Sequence, residues 1–122
     1  MIREIEKPEI DFKFYIDDND RFYYDEKNKE YFLKTKMGSR LYFNLKGNKH
    51  RINNPAEIWA NGIKIWKENN KFNRIDGPAV IEKSNKVYYI DNIVYLASNF
   101  AKKTNHLICD ICDIFCEQGC FF

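Results

Sequence analysis

Through the first half of the chain, apolar and polar residues alternate in short runs, each closed by residues that favour turns. In residues 11–17, Phe12, Phe14 and Ile16 fall on one side and Asp11, Lys13 and Tyr15 on the other, the period of two of a half-buried strand. Residues 17–20, all Asp or Asn, form a turn whose side chains hydrogen-bond their own backbone. Residues 21–26 and 30–35 read as two further strands joined by a tight Lys-Asn-Lys connection. Leu41, Phe43 and Leu45 alternate again before a turn at Gly47-Asn48. The opening ten residues are polar, and Pro8 bars an early helix. The spacing predicts a meander of short antiparallel strands.

The middle of the chain repeats itself. Lys49 to Asn70 aligns with Asn73 to Asn92 at a shift of 23 positions, which places Arg51 on Arg74, Pro55 on Pro78, Ala56 on Ala79, Ile58 on Ile81 and Trp66 on Tyr89. Such a period signals stacked supersecondary units. The same shift carries Tyr42 onto Ile65 and Tyr88, and Phe43 onto Trp66 and Tyr89, so a partial copy begins near Arg40. Asn61-Gly62 suits a type I′ hairpin turn, with Ser84-Asn85 as its equivalent and Asp91-Asn92 turning the chain into residues 93–96. Alternation then puts aromatic rings on both faces of the sheet, and one face is expected to be partly exposed for a partner.

From Ser98, a candidate helix cap, the period changes. Lys102, His106, Asp110, Asp113 and Glu117 share one helical stripe, beside a second of Cys109, Cys112, Cys116 and Cys120, with Gly119 as a stop. The expected fold is mainly β: an antiparallel meander of hairpin repeats with one C-terminal α-helix. It forms a single domain over 1–122, with an N-terminal meander (1–37), repeats (38–96) and a cysteine-rich amphipathic helix (97–122).

Composition narrows the class. With 31% charged and 16% aromatic residues the chain is globular, and it has neither a membrane-spanning apolar run nor a signal-peptide pattern, so a cytoplasmic protein is expected. The net charge of +2 hides a segregation: residues 1–33 carry −4, residues 34–74 carry +8 and residues 75–122 carry −2. A basic middle steers acidic partners, or is neutralised by the acidic ends. Only two histidines are present, neither set beside a nucleophile and an orienting carboxylate outside the tail; Cys109 or Cys112 beside His106 on one helix would leave no cleft or oxyanion donors, and no phosphate-cradling glycine loop occurs, so no enzyme is expected.

The recurring Arg-x-[Asp/Asn]-[Gly/Asn]-Pro-Ala motif, followed by a turn and an aromatic strand, resembles the HRxDGPA/WYxNG-type repeats of bacteriophages and large DNA viruses, which are distantly MORN-like. The resemblance covers residues 38–96 and rests on His50, Arg51, Pro55 and Ala56, then Arg74, Asp76, Gly77, Pro78 and Ala79; Asn53-Asn54 stands in place of Asp-Gly, and Asn73 in place of His. It implies an elongated antiparallel sheet serving as a binding scaffold, and a viral or phage source.

On this footing the expected function is a non-enzymatic protein-binding module, an accessory protein that blocks a host protein or ribonucleoprotein complex, a CRISPR-type defence nuclease being one such target. Its expected partner surface is Trp59, Lys64, Trp66, Lys67, Lys71 and Tyr88, while Arg51, Pro55, Arg74, Asp76, Gly77 and Pro78 maintain the repeat loops. The same basic and aromatic residues interleave as nucleic-acid-binding surfaces do, which gives the alternative of a nucleic-acid-binding module. Self-association through the cysteine-rich helix or a sheet edge is a third reading. No cofactor is expected; His106, Cys109, Cys112 and Cys116 form an alternative zinc set, against which stands burial of the thiols in a packed interface.

Overall fold

The computed structural model describes residues 1–104 and, beyond them, the two short strands at 108–109 and 114–115. Eleven strands precede the helix: β1 Ile2–Ile5, β2 Arg21–Asp25, β3 Glu30–Lys34, β4 Arg40–Phe43, β5 Glu57–Ile58, β6 Lys64–Ile65, β7 Lys67–Glu68, β8 Lys71–Phe72, β9 Val80–Glu82, β10 Asn85–Ile90 and β11 Ile93–Tyr95. Nine form one antiparallel sheet in the order β1-β2-β3-β4-β5-β6-β9-β10-β11, while β7 and β8 make a separate hairpin. The protein is therefore mainly β, an antiparallel meander followed by one short helix, α1, at Ala97–Thr104.

Each repeat unit is a strand that bends at an aromatic residue. These residues are Tyr42, Trp66 and Tyr88: Trp66 is followed by the separate β7–β8 hairpin, pairing with β11 begins at Tyr88, and Phe43, next to Tyr42, pairs with Tyr31 of β3 and also bridges Lys49. Tyr42 N–H donates to Ala56 O and Trp66 N–H to Ala79 O, both at 2.7 Å. This equivalence differs from the constant shift of 23, which set Phe43 on Trp66 and assigned the rings to opposite faces. The first hairpin turns through Asn44–Asn48 with Gly47 at φ 84°, whereas the second turns through two residues, Asn69 and Asn70, at φ 50° and 66°. The longer turn displaces the register by one residue, and in a strand that exchanges the faces.

Consecutive units are clasped at the same points. Asn70 N–H donates to Lys49 O at 2.8 Å while Asn70 Oδ1 accepts from Lys49 N–H at 2.6 Å; Asn92 makes the same two bonds to Phe72, both at 2.8 Å. Beside each clasp, His50 Nδ1 accepts from Asn69 N–H (3.0 Å) and Asn73 Oδ1 from Asp91 N–H (2.9 Å).

Several turns differ from expectation. At Asn61-Gly62 only Gly62 has positive φ, and Gly62 N–H bonds Trp59 O while Trp59 N–H bonds Ile63 O; this is a three-residue loop closed by a glycine bulge. The two-residue turns with both φ positive fall at Asn69-Asn70 and Asp91-Asn92. The β9–β10 turn is Lys83-Ser84, with Asn85 already in β10. Ile2–Ile5, within the stretch read as polar and barred from an early helix, pairs as an edge strand with β2, and Pro8 lies past its end. Residues 11–16 form no strand, because both edges of β4 are already occupied by β3 and β5. Their alternation serves burial instead: Phe12 packs on Phe14, Phe22 and Phe43 at centroid distances of 5.2–5.8 Å.

That segment closes one face of the sheet over Phe22, Leu33, Leu41 and Phe43. The opposite face carries a rung of rings and small residues, Tyr23, Phe32, Tyr42, Ala56, Trp66, Ala79 and Tyr88. Arg51 lies over Tyr42 and Arg74 over Trp66, and at the end of the array Phe100 of α1 lies 4.8 Å from Tyr88. The helix thus takes the place that an arginine holds in the units before it, as terminal caps of repeat arrays do. The expectation of an exposed aromatic face is therefore not met.

Helix α1 begins one residue before Ser98 and ends at Thr104, whose hydroxyl donates to Phe100 O. The expected continuous helix fails at Ile108–Cys109 and Ile114–Phe115, which pair antiparallel as strands; β-branched and aromatic residues favour that state. His106, Cys112, Cys116 and Cys120 lie outside the described residues.

Candidate functional site

The repeated arginines turn inward onto their own loops. Arg51 Nε lies 2.9 Å from Glu30 Oε2, its Nη1 donates to Pro55 O at 3.3 Å, and its guanidinium carbon stands 3.8 Å from the Tyr42 ring centroid. Arg74 repeats this with Asp76 at 2.9 Å, Pro78 O at 3.0 Å and the Trp66 ring at 3.9 Å. A Cβ on Gly77 would sit 2.6 Å from the Arg74 guanidinium carbon, so a side chain there would push the guanidinium aside.

The six residues expected to form one partner surface do not share one. Trp66 and Tyr88 are buried beneath the loops and α1. Trp59 packs on the other face and donates its Nε1–H to Glu57 at 3.0 Å. Lys67 lies 2.7 Å and Lys49 3.4 Å from the carboxylate of Glu57, a residue 2% exposed. Burial, reinforced by the neighbouring Lys67 charge and opposed by Glu57, lowers the pKa of Lys49. Lys71 is exposed and faces Asp91 at 3.6 Å. Of the six, Lys64 alone remains an exposed cation without an ion pair among the described residues.

Lys64 belongs to a different constellation. The strand registers align Arg21, Lys34, Arg40, Ile58, Lys64, Ile81 and Lys86 as one rung across seven adjacent strands. Five are cations, and the rung borders the covered aromatic rung on the same face. Lys34 Nζ lies 5.6 Å from the Tyr23 ring and the Arg40 guanidinium 4.9 Å from that of Phe32, while Arg21 faces Glu4 at 3.4 Å. At about 4.8 Å per strand the rung runs roughly 29 Å. Sequence reading picked out only Lys64, because the rung is a product of register. One signal was present: a glycine bulge at Gly38 pairs Lys34 with Arg40.

A groove of about 850 Å³ lies between the β2–β3 turn and the first repeat unit, lined among others by Glu30, Tyr31, Leu45, His50, Ile52 and Asn54. The Glu30–Arg51 pair borders it. Glu30 Oε1 is buried and accepts no hydrogen bond from the described residues.

Among the described residues no group of three or more His, Cys, Asp or Glu side chains is placed to hold a metal ion. Apart from the backbone pairing at Cys109, the zinc set falls outside those residues. No described helix is long and apolar enough to cross a membrane. Comparison with known proteins finds no match: no family model, no curated protein and no solved structure.

Proposed function

We propose that the protein is a non-enzymatic binding module whose cation rung receives an extended acidic segment of a partner protein. In the viral or phage setting that the repeat resemblance implies, the partner is a host protein. One observation carries the reading: five cations stand in register on one face, three of them (Lys34, Arg40 and Lys64) with no carboxylate partner among the described residues. Arg21 has a lone contact with Glu4. An accumulation of one sign of charge attracts and orients an oppositely charged partner.

Two features favour protein over nucleic acid. The rings that would stack on bases lie under Arg51, Arg74 and Phe100. Half the basic middle is also used internally: Lys49 and Lys67 serve Glu57, Arg51 serves Glu30, Arg74 serves Asp76 and Lys71 faces Asp91. A flexible segment suits the site better than a flat surface, because sheet twist of about 20° per strand turns the two ends of such a rung well away from each other.

Fluorescence anisotropy of a labelled poly-glutamate peptide tests the proposal, with single-stranded and duplex oligonucleotides as competitors. Expected is salt-sensitive peptide binding that is lost in Lys34→Glu/Lys64→Glu. Tighter binding of oligonucleotide than of peptide replaces the reading with nucleic-acid recognition, and no binding of either at low salt ends it.

A further inference from the structure

We propose that the groove against the first repeat unit binds a small phosphate ester, of which a mononucleotide suits the lining. The site stands apart from the cation rung, none of whose residues lines the groove.

A position shared by both units maintains the unit, so a site is sought where they differ. At two matched positions on this groove an amide replaces an acid. Asn53 stands where the second unit has Asp76, and Asn69 opens its two-residue turn where Asp91 opens the next one. Two cations are added, Lys29 from the β2–β3 turn and Lys46 from the longer first turn; both are exposed and have no carboxylate partner among the described residues. The only carboxylate among the described lining residues, Glu30, is neutralised by Arg51 at 2.9 Å, and its Oε1 is buried. Lys29 and Lys46 are thereby left as uncompensated charges on a groove from which the repeat's acids have been removed.

Ammonium groups from separate loops lining one groove attract an anion. The remaining polar groups add donors. His50 accepts at Nδ1 from Asn69 N–H, so its neutral ring donates from Nε2, and Asn53 exposes its side-chain amide. A phosphate ester brings close to two negative charges and three strong acceptor oxygens, enough to engage several of these donors together. A carboxylate brings one charge and two oxygens, and its geometry suits the arginine fork, which Glu30 already occupies here. Leu45 and Ile52, 57% and 51% exposed, border the same groove and offer the organic part of the ligand an apolar surface. The volume falls within the range of small-ligand sites.

Isothermal titration calorimetry of the full chain with AMP, ribose 5-phosphate, inorganic phosphate, adenosine and citrate tests the site. Expected is saturable, salt-sensitive binding of AMP, tighter than that of inorganic phosphate or adenosine. Ribose 5-phosphate binding above AMP would assign the organic part to a sugar rather than a base, within the same chemistry. Lys46→Ala and Asn69→Asp are each expected to weaken binding about tenfold, the scale of one charge-assisted contact. A folding defect does not mimic Asn69→Asp: Asp91 holds the matched turn position at φ 51°, against 50° for Asn69, and Asp keeps an oxygen to accept from Asn44 Nδ2–H. Lys34→Glu/Lys64→Glu, which disables the rung, leaves AMP binding unchanged, so the two sites fail separately. The proposal is overturned if no phosphate compound binds at low salt, if citrate binds as tightly as AMP, or if both groove variants bind as well as the parent chain.

Discussion

The two repeat units solve one folding problem with different connections. In the second, Trp66 lies under Arg74, which pairs with Asp76 of its own loop and packs closely over Gly77. In the first, Tyr42 lies under Arg51, which pairs instead with Glu30 on β3. The frame common to both is arginine on an aromatic ring, with the guanidinium also bonded to the proline carbonyl. What varies is the source of the carboxylate. Moving it from the loop to a neighbouring strand ties the first unit to the N-terminal meander and frees Asn53-Asn54 to line a groove.

The sharpest way to break the pair is at the joint between them. Glu57 sits 2% exposed between Lys49, from the first unit, and Lys67, from the second. Glu57→Gln leaves two poorly solvated ammonium groups facing each other, and is expected to destabilise by about 3–5 kcal/mol in denaturant unfolding. The same joint gives a pH effect. The pKa of Lys49 is lowered from 10.5 by burial, so its charged form is disfavoured in the fold. Between its folded pKa and 10.5 the unfolded state binds more protons, and stability from this residue rises with pH across that window. Lys49→Met removes that slope, which pH-dependent unfolding of the two proteins would read.

Next in size is the contrast between the arginines. Arg74→Ala loses the ring contact and the Pro78 carbonyl bond, for about 2 kcal/mol, but leaves Asp76 66% exposed and hydrated. Arg51→Ala loses the same contacts and also strands Glu30, whose side chain is 20% exposed, so a cost nearer about 3 kcal/mol is expected. Equal costs in paired urea unfolding curves would mean that the exchanged carboxylate is energetically idle.

Much of this frame was legible in the sequence. Strands β2 and β3 follow from short aromatic runs between strong turns, β4 from alternation, and the repeated Arg-x-x-x-Pro-Ala marks both loops. The register was not legible, because a constant shift assumes equal turn lengths, while the loop of residues 45–47 is one residue longer than Asn69-Asn70. One residue was enough to place Trp66 on the wrong face and to make a buried ring look like a docking surface. The alternation of Phe12, Phe14 and Ile16 was misread for a related reason: period two reports which side is buried, not whether the backbone has a partner. The cation rung joins residues from Arg21 to Lys86, and no local pattern could assemble it without every intervening register.

The finest test concerns His50, which separates what the first unit shares from what it has added. Its Nδ1 accepts Asn69 N–H at 3.0 Å, as Asn73 Oδ1 accepts Asp91 N–H at 2.9 Å one unit later. If the shared role is structural, His50→Asn changes stability by no more than about 0.5 kcal/mol, whereas His50→Ala leaves Asn69 N–H to water and costs about 1 kcal/mol. Thermal unfolding of the two variants side by side reads the difference. Should His50→Asn cost as much as His50→Ala, the imidazole itself holds the joint, and the histidine belongs to the frame rather than to the groove.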